Sequence, residues 1–410
     1  MSISDTKDET PIRFGDIIAE AQNDQSKGKN MLETPDRRKT DSIKWGVFGD
    51  DVLPLWIADM DFSSPPEVSG ALKKRVEHGV FGYGLESTPL KDLLIERMGS
   101  RYHWHISRDD ILFIPGVISG FNVVCQAVTQ PGESILIQTP VYPPFFTVPG
   151  NAGAKSVFNE IKLNAEGRYA IDLEAFEQSI QADTRCFMLC NPHNPIGRVY
   201  TQEELRGMAD ICLRHRMVIC ADEIHCDLVY SGHTHTPIAT LDPEIAANTV
   251  TLIAPSKTYN IPGLACSMLI CTNPELRQKI EKSRRGLLGW VNIMGMTAAE
   301  AAYQKGGPWL EEVIKVLESN RDFLYEYLRS NIPQIRMVKP EATYLAWLDC
   351  RDLYLPLPPQ KFFLERAKVA LNEGAEFGEP GKGFVRLNFA CSRETLTAAL
   401  ERMKSAIDQL

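Results

Sequence analysis

Thr249-Val-Thr-Leu-Ile-Ala-Pro-Ser-Lys257-Thr-Tyr-Asn-Ile-Pro-Gly263 places one lysine just beyond a short apolar, β-branched run and surrounds it with turn-forming residues. A run of this length and character reads as a buried strand of a parallel sheet, covered on both faces. Pro255, Pro262 and Gly263 exclude its simple continuation, so Lys257 is expected to project from a loop at the strand's C-terminal end. Open α/β sheets bind their ligands at that edge. A lysine after a strand is ordinarily a solvated surface charge, but one that is desolvated becomes a nucleophile and a base.

Three more apolar runs end in the same manner. Ser134 to Gln138 leads into Thr139-Pro-Val-Tyr142, Arg185 to Cys190 into Asn191-Pro-His-Asn-Pro195, and Met217 to Ala221 into Asp222-Glu-Ile-His225. Four strand ends therefore offer a lysine, an aspartate, an asparagine and an aromatic ring. Each has a plain structural alternative: Asp222 as a helix cap, Asn194 as a turn former, Tyr142 as core, His225 as a structural histidine. Their shared position relative to the strands favours a site. Upstream, Pro115-Gly116-Val-Ile-Ser-Gly120 reads as a strand end, a glycine turn and the start of an amphipathic helix with apolar residues at 117, 121, 124 and 128. A helix N-terminus there presents unpaired backbone amides to an anion. Near the C-terminus, Gly383-Phe-Val-Arg386-Leu-Asn-Phe-Ala390 alternates like a half-buried strand, and Arg386 breaks its apolar face. A buried guanidinium is costly without a carboxylate partner, internal or bound.

From about Ser63 to Ala302, strands alternate with helical patterns such as Thr201 to His215, which opens on a capping box of Thr201 and Glu204. This predicts a mostly parallel, helix-covered sheet over residues 63–302. A long helical stretch from Pro308 to Arg329, strands near Ala342 to Leu348 and Gly383 to Phe389, and a final helix from about Arg393 predict a smaller α+β domain from residues 37–62 and 303–410. Residues 1–36, rich in polar and charged types, are expected to form an extension with a short helix near Phe14 to Ala21. With 410 residues, 44% of them hydrophobic, the chain can bury a sizeable core. Its formal charge of −9 opposes nucleic-acid binding by phosphate attraction, and no polybasic run or long apolar stretch points to a membrane. The polar N-terminus and ten cysteines without a Cys-x-x-Cys pair read as a cytoplasmic protein with reduced thiols. Cys190 with His193, and His103 with His105, do not complete a four-ligand set, so no metal is expected.

Leu55-Trp-Ile-Ala-Asp-Met-Asp-Phe62, Asn191-Pro-His-Asn-Pro-Ile-Gly197, Asp222-Glu-Ile-His225 and Ser256-Lys-Thr-Tyr-Asn-Ile-Pro-Gly263 together resemble the pyridoxal-phosphate enzymes of the class I/II aminotransferase superfamily. Within it they are similar to the cystathionine β-lyase branch, and the resemblance runs from about Arg37 to the C-terminus. It implies the α/β architecture known as fold type I, with pyridoxal 5′-phosphate between the two domains. It assigns to Lys257 the bond to the cofactor's aldehyde and the later removal of the substrate's Cα proton. Asp222 would face the pyridine nitrogen, Asn194 the phenolic oxygen and Tyr142 the ring face. His225, where aminotransferases often carry tyrosine, would line the site.

The resemblance gives the phosphate to the amides of Val117 and Ile118, with Ser256 as a further donor. Tyr83, in Phe81-Gly-Tyr-Gly84, would reach it from a neighbouring subunit, which implies a homodimer with a shared active site. Arg386 would hold the substrate's α-carboxylate as a fork, with Asp59, Met60, Asp61 and Phe62 along the substrate side. Ala254 and Ala265 stand where many relatives carry a phosphate-binding serine and arginine; lack of that arginine agrees with the lyase branch. Thr139–Pro140 and Asn194–Pro195 fall at family positions of cis peptide bonds. The implied reaction is carbon–sulfur β-elimination from cystathionine or a related cysteine S-conjugate, releasing thiol, pyruvate and ammonia. The alternatives are an aminotransferase using the same lysine and aspartate, and a lyase-like protein with an added regulatory binding role.

Overall fold

The computed structural model describes residues 32–410. The short helix expected near Phe14 to Ala21 lies outside the described residues. Seven strands form the larger sheet: β1 Ile111–Ile114, β2 Ser134–Thr139, β3 Lys155–Glu160, β4 Thr184–Cys190, β5 Val218–Asp222, β6 Thr249–Ile253 and β7 Ser267–Ile270. Their order is β1-β7-β6-β5-β4-β2-β3. The five from β6 to β3 pair in parallel, while β7 runs antiparallel to both β6 and β1. The sheet is therefore mostly parallel, and β2, β6 and β7 are buried along their whole length. Parallel strands need helix crossovers on both faces, which accounts for runs that are apolar at successive positions instead of alternating.

A second, four-stranded antiparallel sheet contains β8 Arg336–Met337, β9 Leu345–Asp349, β10 Asn372–Glu373 and β11 Phe384–Asn388, in the order β8-β9-β11-β10. Helices Gly307–Asn331 and Arg393–Ile407 contribute Leu317, Leu324, Leu396 and Leu400 to the same core as β9 and β11. Segment 53–62 belongs to this layer. Leu53–Pro54 pairs with Val369–Ala370, and Asn388 N donates to Leu55 O at 2.9 Å. The carbonyls of residues 57 to 59 are thereby laid along the end of the larger sheet.

Local details follow from the residues. Thr201 and Glu204 form the expected reciprocal capping box at the start of helix Gln202–Arg214. The Thr139–Pro140 and Asn194–Pro195 bonds are cis as expected, and Asn191–Pro192 is also cis, which the sequence reading did not foresee. Lys257 departs from expectation: it sits on a one-turn helix, Pro255–Thr258, and not on a loop. Pro255 occupies the first helical position, where its missing N–H would have been unpaired in any case.

Candidate active site

The C-terminal ends of β2, β4, β5 and β6 and the N-terminus of helix Val117–Val128 surround a cavity of about 430 Å³. Lys257, Asp222, Asn194, Tyr142, His225, Ser256, Val117 and Ile118 all line it. Residues up to 140 positions apart in the chain, Val117 and Lys257, are brought together because the strand ends converge at one edge, as the pattern of runs implied.

Lys257 Nζ donates to Ala58 O at 2.7 Å, and the same carbonyl accepts from Tyr344 Oη at 2.9 Å. Burial, reinforced by the positive charge of Arg386, lowers the Lys257 pKa to about 8, against the opposing pull of Asp59 and Asp222. A lysine of that kind is partly neutral near pH 7, as a nucleophilic amine must be. Asp222 is raised to about 7, because burial outweighs both the Ile224 amide, 3.2 Å from Oδ1, and the charge of Lys257. A buried carboxylate with so few donors calls for a cationic N–H partner in the cavity. His225 is pushed down to about 3, by burial first and then by Lys257 and Arg386, so its imidazole is neutral. Its buried Nδ1 has no hydrogen-bond partner.

Gly116 caps the helix at φ 103°, a conformation that favours glycine, and the backbone turns there so that the first-turn amides point at the cavity. Ser119 and Ser256 add hydroxyls. Among the described lining residues Lys257 is the one side-chain cation; Ala265 stands at the cavity wall with φ 48° and offers no charge. An anion would be held mainly by backbone amides and hydroxyls.

Arg386 sits at the edge of this cavity on β11, buried and without a carboxylate partner. Its Nη1 donates to Asn194 Oδ1 at 3.1 Å, and Nη2 to Trp56 O at 3.0 Å and Asn372 Oδ1 at 2.6 Å. Its guanidinium lies 4.9 Å over the Phe377 ring, and Nε is buried with no partner. Burial lowers its pKa to about 10, which leaves it charged at neutral pH. An internal salt bridge, the bland alternative, is thus not what holds it.

Asp59, Met60, Asp61, Phe62 and Tyr83 are not among the residues that line the cavity: Met60 and Phe62 pack into the core, and Asp61 meets Lys44 at 2.9 Å. The Asp59 carboxylate is engaged by Arg37 at 2.7 Å and by Lys44 at 3.8 Å, so it is not offered as a free substrate contact. Tyr83 is 96% exposed and meets Trp290 edge-on at 5.8 Å. Sequence reasoning missed Ala58 O and Tyr344, which give no local signal, and Asn372. The last lies directly across the ladder from Arg386, a pairing visible only once the strand register is known.

The donors present suit pyridoxal phosphate: an amine for its aldehyde, a donor-poor buried carboxylate for its ring nitrogen, an amide for its phenolic oxygen and a helix N-terminus for its phosphate. A profile of the family "Aminotransferase class I and II" matches residues 50–403. Cystathionine beta-lyase PatB of Bacillus subtilis is 40% identical over 386 residues, covering 92% of this chain and all of that protein. Cystathionine beta-lyase of Corynebacterium glutamicum is 36% identical, covering 92% of this chain and 99% of that one. The crystal structure of cystalysin from Treponema denticola, which contains a pyridoxal 5′-phosphate cofactor, superposes with a TM-score of 0.89 at 33% identity, over 93% of this chain and 99% of that one. The chain therefore belongs to the pyridoxal-phosphate-dependent class I and II aminotransferase family, on the carbon–sulfur lyase branch that holds the cystathionine β-lyases.

Proposed function

We propose that this protein is a pyridoxal-phosphate-dependent carbon–sulfur β-lyase that cleaves cystathionine or a related cysteine S-conjugate to a thiol, pyruvate and ammonia. The observation that carries the reading is Lys257, with its pKa near 8, sharing a cavity with Asp222 while Arg386, buried without a carboxylate partner, stands at its edge. When bound, pyridoxal phosphate supplies an electron sink for the substrate's Cα.

The chain's own residues do the rest. Arg386 orients the substrate by its α-carboxylate, with Asn372, Trp56 O and Phe377 holding the guanidinium in place. Asp222, paired with a pyridinium N–H, would be ionised, because the opposite charge offsets the burial that otherwise raises it. The Asn194 NH2 would donate to the phenolic oxygen, while its Oδ1 accepts from Arg386. The amides of Val117 and Ile118, with Ser256, hold the phosphate. Lys257, whose lowered pKa makes its neutral form accessible, takes the Cα proton; the Cβ–S bond breaks with its electrons on sulfur, and the enamine product hydrolyses to pyruvate and ammonia. Tyr142, in the cavity wall, would stack on the ring.

In this reading residues 63–302 carry the cofactor, and residues 37–62 with 303–410 close over it. Two copies assemble so that Tyr83 of one approaches the phosphate of the other. A cytoplasmic setting accords with the ten cysteines, all of them free. Incubating purified holo-protein with cystathionine tests the activity: pyruvate and thiol should appear in equal amounts. No pyruvate, with conversion of the cofactor to its amine form by amino donors, would assign the protein to transamination instead.

A further inference from the structure

Asp227 lies five residues beyond Asp222 in the segment that follows β5, and its side chain is only 2% exposed. Its Oδ2 accepts from Thr258 Oγ1 at 3.0 Å. Its Oδ1 accepts from Arg101 at 2.7 Å and from Arg97, both on helix Thr88–Tyr102. Arg97 in turn lies 5.0 Å over the ring of Tyr303, on helix Ile293–Lys305. One carboxylate thus joins the Asp222 segment, the lysine-bearing turn and two helices, and none of these partners lines the cavity.

Thr258 directly follows Lys257 on the one-turn helix and is fully buried. Successive side chains on a helix diverge by about 100°. Lys257 accordingly enters the cavity while Thr258 turns away from it into Asp227. A hydroxyl bonded to an ionised carboxylate is held more firmly than one on a neutral acceptor. The long lysine side chain is tied at its tip only by the bond from Nζ to Ala58 O, which it must leave for its two tasks, bonding the cofactor and then taking the Cα proton.

We propose that Asp227 and Thr258 are positioning residues for Lys257: their hydrogen bond fixes the turn from behind and so sets the direction of the ε-amine relative to Asp222. The inference rests on Lys257 being the amine that binds the cofactor. Thr258→Val removes the hydroxyl and keeps the shape, whereas Thr258→Ser keeps the hydroxyl. In the holoenzyme Thr258→Val should lower kcat for cystathionine about tenfold with KM changed by less than about twofold. It should also move the pH midpoint of the cofactor's visible absorption band by about half a unit or more. Thr258→Ser should stay within about twofold of the wild type in kcat with its midpoint in place. Thr258→Ala, a second deletion of the hydroxyl, should behave as Thr258→Val does. An unmoved midpoint in both deletion variants overturns the proposal, whatever happens to kcat or melting temperature, and so does a serine variant as damaged as the valine one. If wild-type holo-protein shows no lysine-linked absorption band, the parent reading fails; if the band is present and the variants leave it in place, this inference alone fails.

Discussion

Arg386 Nη1 donates to Asn194 Oδ1 across 3.1 Å, joining the central part of the smaller sheet to the cis-proline segment at the end of β4. With its oxygen so engaged, Asn194 presents its NH2 to the cavity as a donor. The same contact couples the residue assigned to the substrate's carboxylate to the residue assigned to the cofactor's phenolic oxygen. In the proposed reading, a carboxylate bound at Arg386 would act on the cofactor's phenolic oxygen through this one hydrogen bond.

Arg386→Lys should keep the charge but lose the fork, the stack on Phe377 and at least one of the bonds to Asn194, Trp56 O and Asn372. The kcat/KM for cystathionine should fall by about two orders of magnitude, most of it in KM. Steady-state kinetics across a wide substrate range checks this. A variant within about threefold of the wild type would mean that the carboxylate is held elsewhere.

Capture of free pyridoxal phosphate should report the Lys257 amine directly. With its pKa lowered to about 8, the neutral form that attacks an aldehyde gains about tenfold per pH unit below 8 and is fully present above it. The rate constant for cofactor uptake by cofactor-free protein should rise with pH through 8 and then level off. Stopped-flow absorbance over the range gives the midpoint. A rate still climbing at pH 10 would show a lysine at its ordinary value, inconsistent with the buried site.

Asp222 leads to a stability prediction of the opposite sense to that of most carboxylates. Its pKa in the folded, cofactor-free protein is raised to about 7 from an ordinary 3.8, by burial first. A carboxyl that holds its proton more tightly when folded contributes stability below the unfolded-state value and loses it as pH rises through the folded-state value. Cofactor-free Asp222→Asn should therefore match the wild type near pH 4 and be more stable above pH 7, by about 2 to 4 kcal/mol at most. The same variant should lose nearly all lyase activity, since a neutral amide cannot keep the ring nitrogen protonated. Denaturant titrations at both pH values, with and without cofactor, separate the two effects.

The parts legible in the sequence were those written in local pattern. Apolar runs ending in Tyr142, Asn194, Asp222 and Lys257 located the sheet's functional edge, because in a parallel sheet all those ends point the same way. The Thr201 and Glu204 capping box is likewise complete within four residues. What escaped depends on register or on contacts distant in the chain. Asn372 supports Arg386 only because β10 pairs with β11 at that residue, and Tyr344 reaches Ala58 O from 286 positions away. Asp59 was placed beside the substrate, but Arg37 and Lys44 hold it. Those cations stand 22 and 15 positions before Asp59, too far for a local pattern to show the pairing. The one-turn helix at Pro255 was missed since proline both ends a strand and begins a helix.

Gly116→Ala isolates the contribution of the helix N-terminus to phosphate binding. Gly116 adopts φ 103°, and a Cβ built there meets nothing within 4 Å, so the substitution strains the backbone without a steric clash. The strain should cost about 1 to 3 kcal/mol, relieved in part by rotation of the peptide units that present the amides of Val117 and Ile118. Affinity for pyridoxal phosphate should drop about tenfold or more, because with no arginine at position 265 no side-chain cation compensates. Pyridoxal, which has the aldehyde and ring but no phosphate, should bind the variant and the wild type alike. Equilibrium titration with both ligands discriminates: an equal loss for the two would place the damage at Lys257 or Asp222, and no loss for either would remove the 117–118 amides from the site.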